Sequence, residues 1–352
     1  MIVFLSQITF YKGDICRMDQ PIKLSVLDQS PVRKGGSPYE ALQESVALAK
    51  RADELGYHRY WLSEHHNTGS LAGSSPEVLI AHLAGQTKNI RLGSGGIMLP
   101  NHSSLKVAES FRTLETLFPG RIDLGIGRAP GGDRITSMIL NPSNSFSEED
   151  FVQQLIDLQH YLDLPNEYEK QYPKVQAIPL ADTAPDLWIL SSSGQSGVFA
   201  AHLGMGLAFA HFINPTGGPE AVALYRSRFK PSETLKEPQV SVGVFVLCAD
   251  TEEKALELQK VMDFQMLKIE RGISEGTSSY EEIKDFHYNE AEEQRIAYNR
   301  QRMIYGNPEQ VKTKLTALAN RYQVNEIMAA TITYDFKDRI HSYELLAKEF
   351  GL

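Results

Sequence analysis

The nine residues GIGRAPGGD, 125–133, decide how this chain is read as a fold. An apolar run, 121–127, leads into them, and glycines after a strand mark the dinucleotide-binding turn of an open, doubly wound sheet. That turn needs glycine at its first, third and sixth positions, so that backbone can approach a pyrophosphate and the helix can pack on the strand. Counted from Gly125, the sixth position is Pro130. The fingerprint fails, and the closed alternative has to be weighed on the rest of the chain.

Outward from this run, strands are expected at 22–28, 59–64, 90–98, 121–127, 186–192, 206–212, 240–248 and 325–333, eight in all. Amphipathic segments alternate with them. SPYE, 37–40, is a capping box with proline at the first helical position; Leu42, Val46, Ala49 and Ala52 follow at helical spacing, and Gly56 ends the helix. NPEQ, 307–310, repeats the device before Val311, Leu315 and Leu318. Ser147 precedes Glu148, Glu149 and Asp150, acidic residues that suit a helix N-terminus. No linker rich in Gly, Pro or Ser divides the chain. The expectation is an α/β fold, a single (β/α)8 TIM barrel over 21–352 with an insertion between strands 7 and 8. That insertion contains a polar run, 272–290, which reads from its composition either as a lid over an active site or as a plain disordered loop. Residues 1–20 are expected to form an N-terminal extension outside the fold.

The 352 residues are 42% hydrophobic and 22% charged, ordinary for a soluble globular protein. A net charge of -9 without a Lys/Arg cluster argues against nucleic acid as a partner. Cys16 and Cys248 are too few for a disulfide framework, which points to a reducing compartment, the cytoplasm by default. The apolar start MIVFLSQITFYK lacks a basic beginning and a cleavage site and is too short to cross a bilayer, so no membrane association is expected.

A barrel of this type builds its active site at the C-terminal ends of the strands. Asp28 and Gln29 close the first strand, Glu64, His65 and His66 the second; Asn101 and His102 follow the third and Arg128 the fourth. Adjacent side chains on an extended chain point to opposite sides, so His65 and His66 cannot both face inward, and a metal site is not expected. The pair by itself fits a structural histidine bonded to a loop as well as a proton-transfer group. In WILSSSGQSGVFAAHLG, 188–204, a strand runs into Ser191, Ser192, Ser193, Gly194, Gln195 and Ser196 and then into a helix. Hydroxyls and free N–H groups converge there as they would around a phosphate, or as they do in an ordinary serine-rich turn. Arg128 could supply the matching charge. Gly95 and Gly96 lie inside a strand pattern, where glycine marks a bulge or a flat object close to the backbone.

Taken together, LSVLDQSPV (24–32), WLSEHHNTG (61–69), the stretch from Arg91 to Asp133 and LSSSGQSGVFAAHLGMG (190–206) resemble the bacterial luciferase-like flavin monooxygenases, over about residues 22–349. The resemblance implies a (β/α)8 barrel that binds FMN at the strand C-termini, commonly forms a homodimer and activates O2 through reduced flavin. By this likeness His65 and His66 match paired histidines beside the flavin ring, with His65 the acid/base candidate. Arg128, Ser193 and Ser196 match holders of the FMN phosphate, and Gly95 and Gly96 a non-prolyl cis peptide under the ring. The dimer is expected through residues 104–118, with Leu105, Ala108, Phe111 and Leu114 on its face. Gly127 stands where luciferases carry a reactive cysteine and Gly95-Gly96 replaces their alanine pair, so light emission and an aldehyde substrate are not implied. The function expected is an FMN-dependent monooxygenase or oxidoreductase acting on a small molecule. Without a nicotinamide fingerprint, reduced flavin would come from a separate flavin reductase. A deazaflavin-dependent oxidoreductase on the same barrel and a non-catalytic flavin-binding protein are the alternatives.

Overall fold

The computed structural model describes residues 21–352; the extension expected at 1–20 lies outside the described residues. Nine strands are β1 (Lys23–Asp28), β2 (Arg59–Leu62), β3 (Arg91–Met98), β4 (Ile122–Gly127), β5 (Asp186–Ser191), β6 (Gly206–Ala210), β7 (Val240–Cys248), β8 (Met303–Gly306) and β9 (Glu326–Ala330). All pair in parallel, in the order β6-β5-β4-β3-β2-β1-β9-β7, and β6 pairs with β7 to close the ring. Ser25 lies opposite Met328 where β1 meets β9, and Ala208 opposite Ser241 where β6 meets β7. This is a closed eight-stranded TIM barrel, as the sequence indicates. Its eighth strand is β9. The extra strand β8 was not anticipated: only four residues long, it extends the ladder from Phe245 to Cys248 beyond the ring, too short to carry a period of its own.

The helices are α1 (Pro38–Leu55), α2 (Pro76–Ala84), α3 (Ser104–Leu117), α4 (Arg134–Leu140), α5 (Glu148–Tyr161), α6 (Gly194–His202), α7 (Gly218–Arg228), α8 (Glu252–Glu270), α9 (Tyr280–Ile283), α10 (Glu290–Asn299), α11 (Pro308–Tyr322) and α12 (Phe336–Phe350). Their starts follow local chemistry. Both capping boxes form, at Ser37 with Glu40 and at Asn307 with Gln310, and the Ser147 side chain accepts from the Asp150 N–H. Gly56 closes α1 in the left-handed region. Among the described residues no helix is long and apolar enough to cross a membrane.

Strands buried on both faces read as continuous apolar runs, and every residue of β7 is buried. One layer of core lies between strands and outer helices, where Val26, Leu92, Leu124 and Val242 meet Leu48, Phe111 and Leu315. A second fills the barrel with Leu27, Trp61, Trp188, Phe245 and Met328, continuous with Met262 and Met266 of α8. The apolar face of α3 belongs to the first layer. Ala108, Phe111 and Leu114 are therefore spent inside the subunit, and Arg112 is buried with its Nε donating to Tyr161 O; of the segment expected to pair subunits, Leu105 is only partly buried and Leu117 is exposed.

The insertion between β7 and β9 folds as α8 to α11 and β8. Its polar run is tied to the loops after β1 and β2: Thr277 N–H donates to Val32 O (3.1 Å), Lys34 N–H to Thr277 O (2.8 Å) and Gly69 N–H to Ser274 Oγ (2.7 Å).

Candidate active site

A cavity of about 830 Å³ opens at the C-terminal ends of β1 to β6, within the ~300–1,000 Å³ usual for a small-molecule or cofactor site. Its floor is apolar, with Leu27, Met98, Leu190 and Phe212. Its outer wall is the segment between β4 and α5, including Pro130, Arg134, Ser137 and Phe146. Among the described residues none from the polar run 272–290 lines it, whereas residues between 128 and 148 do.

At the end of β2 the chain leaves the ladder, and its amides bond to neighbouring loops: His65 N–H to Gly73 O and His66 N–H to Gly131 O, both 2.9 Å. The two histidines diverge as alternation requires. His65 lines the cavity with its Nδ1 3.0 Å from Ser63 Oγ, and its Nε2 has no protein partner among the described residues. Burial pushes its pKa down to about 4, so the ring is neutral near pH 7. His66 turns to Glu64 instead, Nε2 2.7 Å from Oε1, and is not part of the cavity lining.

Glu64 is fully buried and fastens three loops. Its Oε2 accepts from Met98 N–H (2.8 Å), and its Oε1 faces both His66 and, at 2.9 Å, His102 Nε2. Burial would raise this carboxyl's pKa, but the bonds and charge of His102, with help from His66 and Met98, bring it below the usual value. Burial likewise opposes a charge on His102, and Glu64 outweighs it, so the His102 pKa is raised. Asn101 Nδ2 donates to Pro130 O (2.8 Å), pinning the outer wall to the end of β3.

The Gly95–Gly96 peptide is cis, and Gly95 lines the cavity while Gly96 does not. A Cβ on Gly96 would lie 2.7 Å from Gly125 O, so the close approach of β3 to β4 demands glycine. A Cβ on Gly127 would come 2.8 Å from Met98 Sδ: Met98 fills the space a side chain at 127 would take.

Ser192, Ser193 and Ser196 line the far side of the cavity with Arg128. Gly194, the first residue of α6, is outside the lining. The N-cap Ser193 makes no side-chain cap bond, so the first-turn amides of α6 remain available. Arg128, Ser193, Ser196 and these amides are all donors beside one another, a set that fits a phosphate group. Glu148 and Ser63 were not singled out as site residues from the sequence: Glu148 reads as a helix-start acid, and only the fold brings it beside Arg128, at 3.5 Å. No group of His, Cys, Asp and Glu among the described residues has metal-binding geometry.

The profile of the luciferase-like monooxygenase family matches residues 22–323. The chain belongs to that family. It is 53% identical over 331 residues to the uncharacterised protein YwcH of Bacillus subtilis, covering 94% of this chain and 99% of the relative. It is 36% identical over 331 residues to an N-acetyl-S-alkylcysteine monooxygenase of the same organism, covering 93% and 97%. The crystal structure of apo-MsnO8 superposes with a TM-score of 0.86 at 36% identity, over 94% of this chain and 99% of that one. The oxygenating constituent of 3,6-diketocamphane monooxygenase from Pseudomonas putida, solved in complex with FMN, shares the fold at 20% identity and a TM-score of 0.67, over 94% and 98%. The protein is thus an enzyme of the luciferase-like monooxygenase family.

Proposed function

We propose that this luciferase-like enzyme is an FMN-dependent monooxygenase that uses reduced flavin and O2 to oxidise a small organic substrate. One observation carries the reading: a single cavity holds a phosphate-type donor set at the ends of β4 and β5 and a neutral imidazole at the end of β2, with an apolar floor between them. Reduced FMN, when bound, supplies the electrons that activate oxygen. Arg128, Ser193 and Ser196, with the first-turn amides of α6, would hold its phosphate, and the Gly95–Gly96 edge with Leu27 and Leu190 would accept its ring. Ser63 orients the His65 ring through Nδ1, and His65 passes a proton at Nε2. His66 acts on the reaction only by holding Glu64, which keeps the ends of β2 and β3 and the outer wall together. Residues 128–148 exclude water.

A separate flavin reductase supplies reduced flavin, and the buried, unpaired Cys248 suits the cytoplasm. Two copies pair through a groove between α2 and α3, where Val78, Leu117 and Ile178 are exposed; light scattering that finds only monomer at micromolar concentration would refute this pairing. Thioethers are the first substrate class to try, after the relative named for S-alkylcysteine oxidation. The test is oxygen uptake with FMN and a reductase, against a panel of thioethers, ketones and amines. Substrate-dependent uptake with FMN is expected; uptake that is the same without protein, or turnover only with a deazaflavin, defeats the reading.

A further inference from the structure

Arg128 is already engaged. Its Nη1 lies 3.5 Å from Glu148 Oε2 and 3.3 Å from Gln195 Oε1, and Gln195 Nε2 donates to the same Glu148 oxygen. The three residues come from the end of β4 and the starts of α5 and α6, and Glu148 lines the cavity with Ser193 and Ser196. A carboxylate therefore sits among the donors that a phosphate would use. Its ion pair is long and half-exposed, at 38% and 42% of the two side chains, which makes it weak and displaceable.

We propose that Glu148 is an anion built into the flavin-phosphate site as a competitor: it occupies Arg128 and Gln195 until a phosphate displaces it, and it keeps FMN affinity low enough for the flavin to exchange. This rests on the FMN reading above. A phosphate monoester carries about -1.5 to -2 charge near pH 7, so its arrival beside Glu148 sets like charges together unless the carboxylate swings out to solvent. Breaking the Arg128 and Gln195 contacts and the residual repulsion both subtract from the binding of FMN. Riboflavin, which has no phosphate, meets neither. An enzyme that takes reduced flavin from another protein and returns it oxidised needs such a balance. An acid at the rim provides it without altering the ring site.

The test is titration of the parent protein, Glu148→Gln and Arg128→Ala with oxidised FMN and with riboflavin, followed by flavin fluorescence at low and high salt. Glutamine keeps the length and the acceptor but removes the charge. Glu148→Gln should bind FMN up to about fivefold more tightly, from the ~0.2–1 kcal/mol typical of exposed ion pairs, with riboflavin unchanged and the gain reduced by salt. Arg128→Ala should weaken FMN alone. If Glu148→Gln leaves FMN affinity unchanged, or tightens both flavins equally, the competitor role is overturned even though Arg128→Ala upholds the phosphate site. If the parent binds no FMN, or Arg128→Ala affects neither flavin, the cofactor reading falls and this inference with it.

Discussion

The two ends of the barrel use charge in opposite ways. At the N-terminal end, Arg59 Nη1 lies 2.7 Å from Asp123 Oδ2 and its Nε 3.0 Å from Glu326, while Arg91 Nη2 is 2.6 Å from Asp123 Oδ1. Trp61 Nε1 and Ser25 Oγ fill remaining acceptor positions on Asp123 and Glu326, and Arg59 stacks 4.7 Å over the Trp188 ring. Burial works against the Asp123 carboxylate, but Arg59 and Arg91 hold its pKa below the usual range. Every one of these groups is satisfied by another. At the C-terminal end, His65 Nε2, the hydroxyls of Ser193 and Ser196 and the first turn of α6 keep bonding capacity facing a cavity. Polar groups matched to each other plug a barrel; polar groups left open beside a cavity are available to a ligand.

This contrast is most sharply tested at His65. A proton-transfer group contributes roughly 10²–10⁴-fold to rate, so His65→Ala should lower turnover by that order while the melting temperature and FMN affinity change little. Single-turnover kinetics of reduced enzyme with oxygen and substrate give the rate. A variant that loses stability but keeps its rate would place His65 with the plug residues. Asp123→Ala is the mirror experiment: it strips Arg59 and Arg91 of a shared, fully buried partner and should cost about 3–5 kcal/mol in chemical denaturation, with flavin affinity intact in the folded fraction. Loss of flavin binding without loss of stability would break the contrast from that side.

The smallest expected effect is on pH. His65 is held neutral by burial, and His58 by burial together with Arg59 and Lys23, each with its pKa lowered to about 4. Unfolded histidines titrate near 6.5, so between about pH 6.5 and 4 the unfolded chain binds more protons and stability falls as pH falls. His102, with a raised pKa, acts in the opposite sense: its contribution is present below about 6.5 and is lost as pH rises through its folded value. Urea melts from pH 7 to 5 should show a net loss toward acid, flattened in a His58→Gln/His65→Ala double variant. An unchanged slope in that variant would show that neither ring is held neutral.

The elements and their kind are legible in the local pattern of residues. Eight apolar runs separated by amphipathic segments with two capping boxes sufficed to predict the barrel, because strand burial and helix capping depend on residues within a few positions of one another. The local pattern also marked where polar residues end strands, and so His65, Arg128 and the serines near Ser193. Which histidine faces the cavity was decided by the tertiary structure, since Glu64 draws His66 aside using His102 and Met98 from another strand. The same is true of the outer wall: residues 128–148, not the polar run of the insertion, meet the cavity, because that run is bonded to the loops after β1 and β2. Period and capping predict which face of α3 is apolar but not that the barrel takes it, and the proximity of Glu148 to Arg128 across twenty residues depends on where β4 and α5 are set by their neighbours. Such contacts form only when distant segments are packed together, and no local pattern encodes them.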